Sequence, residues 1–106
     1  QEFRAARLLK ILGNPLRFKI CRALLLSPRT PSELALLVSR PLPAVSRDLT
    51  LLSLAGLVGY HSHGHGVLYH PKHADDLETL LQFAELFVRR FELPDPQAWR
   101  EVSCAM

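Results

Sequence analysis

Residues 30 to 70 constrain the fold more than any other stretch of this chain. They spell out two short helices and a hairpin with clear start and stop signals. The segment begins TPSELALLV. Thr30 is placed to cap a helix, Pro31 suits its first position, and Glu33 stands where a capping box needs an acidic side chain. A second helix lies within RPLPAVSRDLTLLSLAGLV, with apolar residues at Val45, Leu49, Leu52 and Leu54 and with Ser46, Arg47 and Asp48 among them. Gly56 occupies the position at which a left-handed residue ends a helix. Residues 57–60 and 67–69 then flank Gly64 and Gly66, the pattern of a β-hairpin.

The flanks are helical. Phe3, Leu8, Leu9, Ile11 and Leu12 give an apolar stripe to a helix over residues 2–12. Asn14 and Pro15 open a second helix, which runs to about residue 26 before Ser27-Pro28 stops it. Beyond Pro71, a long helix over about 74–91 repeats Leu77, Leu80, Leu81, Ala84, Phe87, Val88 and Phe91 at three- and four-residue steps. Leu93-Pro94-Asp95-Pro96 breaks it, leaving a tail over 93–106 that holds Trp99 and Cys104. At 106 residues the chain suits one domain, mainly α with a small β-hairpin. Helix, tight turn, helix and hairpin together make the plan of a winged helix-turn-helix, whose second helix can enter a DNA major groove.

Charge follows the same division. Residues 1–73 hold ten Lys/Arg against three Asp/Glu, whereas residues 74–106 hold three against seven. The basic part contains the helix-turn-helix, where a phosphate backbone would sit. No apolar run is long enough for a transmembrane helix, and the N-terminus carries no secretory leader, so a cytoplasmic location with no membrane partner is expected. Two cysteines are too few for a disulfide scaffold. There is no glycine-rich phosphate loop, nucleophile elbow or HExxH motif, and the chain is not expected to be an enzyme.

The run LLKILGNPLRFKICRALLL, followed by PSELA, AVSRDLTLL and AGLV, resembles the ArsR/SmtB family of winged-helix repressors over about residues 5–92. The resemblance implies a DNA-binding and dimerisation domain over residues 1–92, paired with a second copy through the first and last helices. It implies a homodimeric repressor on an inverted-repeat operator of double-stranded DNA, released by a metal, redox or other small signal. Ser46 and Arg47 stand where the family places groove-facing residues, Arg47 suiting guanine and Ser46 a base or phosphate. Arg40, Leu42 and Ala44 belong to the same candidate surface; Leu42 would either touch a thymine methyl or pack. Pro41, Leu42 and Pro43 bring no side-chain donor, and Asp48 is expected to repel phosphate, so DNA shape would carry part of the specificity. Arg17 and Lys19 are lesser candidates for phosphate, or ordinary surface charge.

The wing tip reads His61-Ser62-His63-Gly64-His65-Gly66 where many family members carry Arg or Lys. His61, His63 and His65 are candidates for DNA contact when protonated, and for metal ligation with His70 and His73 nearby. The family's known sensor sites do not map onto the chain. Thr30, Pro31 and Ser32 replace a Cys-x-Cys pair, and Asp76, Glu78, Arg89 and Glu92 put an arginine where a zinc ligand should stand. Cys21 and Cys104 are candidates for a thiol switch, although a cysteine such as Cys21 is more commonly a small apolar core residue. A cofactor is not fixed by these residues: a metal ion or none both fit. The alternative to a repressor is a winged-helix module for protein–protein contact without specific DNA binding.

Overall fold

The computed structural model describes residues 1–90. Its elements run α1 (Glu2–Leu12), α2 (Pro15–Leu26), α3 (Pro31–Val38), α4 (Leu42–Leu54), β1 (Val58–His63), β2 (Gly66–Pro71) and α5 (Ala74–Arg90). The tail expected over 93–106, with Trp99 and Cys104, lies outside the described residues, as do Phe91 and Glu92. No helix among the described residues is long and apolar enough to cross a membrane.

Local signals set the helix starts. The Asn14 side chain accepts from the Leu16 and Arg17 amides at 2.9 and 3.2 Å, satisfying two donors that the first turn of α2 leaves unpaired. At α3 the capping box is complete: the Glu33 amide donates to Thr30 Oγ1 at 3.2 Å, and the Thr30 amide donates to Glu33 Oε1 at 2.9 Å. These bonds hold the Glu33 carboxyl below its usual pKa, the bond from the Thr30 amide being the largest cause. Ser39, with φ 54°, closes α3 in the left-handed region and begins the turn into α4.

One core joins these pieces. Ile20, Cys21 and Leu24 of α2, Leu34 of α3, and Val45, Leu49 and Leu52 of α4 meet Leu57 and Val58 at the root of β1. Leu77 and Leu81 of α5 close it from the side. Leu54, the fourth apolar residue named on α4, does not belong to it and is 80% exposed. Nine residues beyond Val45, at about 100° per residue, it lies half a turn away from the buried stripe. The same geometry divides α1, where Leu8, Ile11 and Leu12 pack inward while Phe3 and Leu9 face out.

The hairpin pairs Val58 with Pro71, Tyr60 with Tyr69 and His63 with Gly66 in antiparallel register. Its root is fastened twice. Arg29 exchanges both backbone hydrogen bonds with Tyr69, at 3.0 and 2.8 Å, and the Lys72 amide donates to the Leu57 carbonyl at 3.1 Å. The loop ahead of α3 is thus joined to β2 by a single-residue β-bridge at Arg29, tying the wing to the helix-turn-helix.

Candidate nucleic-acid interface

The outer face of α4 follows from its buried face. With Val45, Leu49 and Leu52 against the core, Leu42, Pro43, Ser46, Arg47 and Thr50 are left exposed, and Arg40 is exposed in the turn before them. Ala44, expected on this face, is only partly exposed. Thr50 was not singled out from the sequence, although its step from Pro43, Ser46 and Arg47 puts it on the same side. Its hydroxyl donates to the Ser46 carbonyl at 3.0 Å.

Backbone accounting at the start of α4 removes one common route to phosphate. A helix N-terminus normally offers several unpaired amides to an anion. Here Pro41 and Pro43 have no N–H, and the amides of Ala44 and Val45 both donate to the Pro41 carbonyl, at 3.1 and 3.2 Å. The Leu42 amide is left as the donor at this end. Anion contact at this end rests mainly on side chains.

Arg40 and Arg47 are placed to make it. The two ion pairs among the described residues involve neither of them. Asp48 is different from what the sequence suggested. Its carboxylate sits 3.1 Å from Arg17 Nη1, with 14% of the Asp48 side chain and 17% of the Arg17 side chain exposed. Arg17 Nε also donates to the Ile11 carbonyl. Asp48 is thus turned inward and neutralised rather than set against phosphate. Arg17 is committed to a bond joining α4, α2 and the end of α1 and is withdrawn as a phosphate ligand. Lys19 remains exposed on α2.

The wing carries its histidines on one face. His61, His63 and His70 alternate out of the register with Tyr60 and Tyr69, whose rings meet on the other face with centroids 5.3 Å apart. The His61 and His70 rings lie with centroids 5.5 Å apart. Gly59 makes room for this: a Cβ there would stand 3.1 Å from His70 Cε1. Gly64, with φ 61°, supplies the positive angle that opens the two-residue tip, and His63 and His65 are exposed on either side of it. No group of three or more His, Cys, Asp or Glu that could hold a metal exists among the described residues. The wing histidines do not converge on such a site.

Cys21 is fully buried on α2, and burial pushes its thiol up to about 12. A thiol held neutral and out of contact with water is a poor nucleophile. Cys104, its proposed partner, lies outside the described residues.

No protein-family model matches the chain, and no curated protein matches it. Solved structures do. Rv0081 of Mycobacterium tuberculosis is 27% identical, with 82% of this chain covering 87% of that one and a TM-score of 0.76. HlyU of Vibrio cholerae in its reduced form is 26% identical, with coverages of 83% and 88% and a TM-score of 0.69. The third is a homodimeric winged helix-turn-helix DNA-binding domain from Mycobacterium bovis, described as a possible ArsR-family transcriptional regulator. It is 24% identical, with coverages of 83% and 81% and a TM-score of 0.75. The helix order, the fastened hairpin and this likeness agree: the chain has the winged helix-turn-helix fold of such transcriptional regulators.

Proposed function

We propose that the chain is a cytoplasmic, homodimeric ArsR-like repressor that binds an inverted-repeat operator through α4 and the wing. The observation that carries this reading is the exposed, unpaired Arg47 beside Ser46 on the outer face of α4, in a fold shared with a DNA-binding domain. Arg47 takes a guanine edge, Ser46 a base or phosphate, and Arg40 the backbone at the entrance to the groove. His61, His63 and His65 bring the wing to the flanking backbone. Two copies place their α4 helices in successive major grooves, about 34–36 Å apart.

Dimerisation has its own support. Phe83 and Val88 on α5 are 57% and 56% exposed, and Phe3 and Leu9 on α1 also face outward. A second copy would cover this surface through the first and last helices. The signal that releases the DNA is proposed as a metal, redox or other small signal, and burial of Cys21 argues against that thiol as its receiver.

Selection from a pool of random duplex DNA tests the reading. The expected result is enrichment of an inverted repeat, with affinity that falls steeply as salt rises. Binding that is absent, or indifferent to salt, would instead favour the protein-interaction module.

A further inference from the structure

Leu42 is a surface leucine without an evident duty in the fold. It is 44% exposed, it stands beside exposed Pro41 and Pro43, and its neighbours on the next turn are Ser46 and Arg47. In a soluble recognition surface this position faces either water or a base edge. The only apolar group that a base presents in the major groove is the C5 methyl of thymine. The first turn of α4 is also poor in donors: two prolines lack amides, and two further amides are spent on the Pro41 carbonyl. With the Leu42 amide as its one remaining donor and no polar side chain at Pro41, Leu42, Pro43 or Ala44, this turn offers little to hydrogen-bonding edges, whereas Arg47 beyond it reaches them.

We infer that Leu42, supported by Pro43, is a specificity-determining residue that selects a thymine methyl close to the guanine taken by Arg47. This rests on the DNA-binding reading above and adds a base preference to it. Leu42 and Arg47 are five residues apart, about 7.5 Å along the helix at 1.5 Å per residue. Base pairs repeat about every 3.4 Å, so the selected thymine falls about two base pairs from the guanine. Each half-site then carries a short element in which a methyl-bearing base and a guanine are near neighbours. Shape readout adds to this element but does not replace it.

Deoxyuridine provides the cleanest probe, since it differs from thymidine only by the missing methyl. The duplex recovered from the random pool is remade with deoxyuridine at the thymines within two base pairs of the guanine contacted by Arg47. Burying one methyl-sized group is worth about 0.8 kcal/mol, so wild-type affinity should fall by about 4-fold per half-site and about 15-fold over both. In Leu42→Ala the thymidine and deoxyuridine duplexes should bind about equally. The exposed position of Leu42 lets this variant fold, which its far-ultraviolet circular dichroism would register. Wild-type protein that binds both duplexes equally overturns the inference and leaves the DNA-binding reading standing. The inference also falls if Leu42→Ala retains the full discrimination. Failure to bind any duplex in a salt-dependent way removes both readings together.

Discussion

Cys21 allows a stringent test of the core. Its thiol ordinarily titrates at 9.0, and burial raises it to about 12. At pH 7.5 the exposed thiol is about 3% thiolate, and the buried one about a thousandfold less. In a Cys104→Ser background, where Cys21 is the sole thiol, alkylation of the native protein should therefore be at least a thousandfold slower than in denaturant. Stability carries the same signature. The folded-state value lies above the unfolded one, so the contribution is fully present below about pH 9 and is lost as pH rises towards about 12. The loss amounts to about 1.4 kcal/mol per pH unit across that window. Urea unfolding at pH 9, 10 and 11 should show this loss in the parent. Cys21→Ala should lack it, being less stable than the parent at pH 8 and drawing level with it as pH rises. Native alkylation within tenfold of the denatured rate would contradict the burial argument and restore Cys21 as a redox sensor.

Other substitutions probe the remaining parts of the account. Asp48→Asn should cost about 1–2 kcal/mol of unfolding free energy, because Arg17 loses a charged partner from a largely shielded site. A double-mutant cycle with Arg17→Gln should recover most of that loss as coupling; additive losses would deny the bond. Thr30→Ala should lower stability by about 0.5–2 kcal/mol by opening the α3 capping box, read by thermal or urea unfolding. Phe83→Glu combined with Val88→Glu should convert a dimer to a monomer in sedimentation and weaken operator binding with it. A dimer that survives both charges would place the interface elsewhere.

Helix starts were legible because their chemistry is local. Asn14-Pro15 and Thr30-Pro31 with Glu33 satisfy amides within three residues, and the structure builds the caps as the spacing requires. The hairpin was equally plain, since Gly64 sits where a tight turn needs a positive φ. Faces were harder to read. Leu54 and Phe3 are apolar like their neighbours, and only the angle around each helix separates them from the core. Asp48 was misread for a different reason. Its partner Arg17 lies 31 residues away on another helix, and no local pattern announces a pair made by packing α4 on α2. Thr50 was within reach of the helical step but was overlooked beside the more conspicuous Ser46 and Arg47.

The central claim is that the outer face of α4 reads DNA through Arg47. Titration of wild type and Arg47→Ala against the selected duplex and a scrambled one, each at several salt concentrations, tests it most directly. Specific affinity should fall by about 1–3 kcal/mol in Arg47→Ala, roughly 5- to 150-fold, while scrambled-duplex binding changes far less. Equal losses on both duplexes would reduce Arg47 to a phosphate contact. Unchanged affinity for the selected duplex would contradict the assignment of α4 as the reading surface.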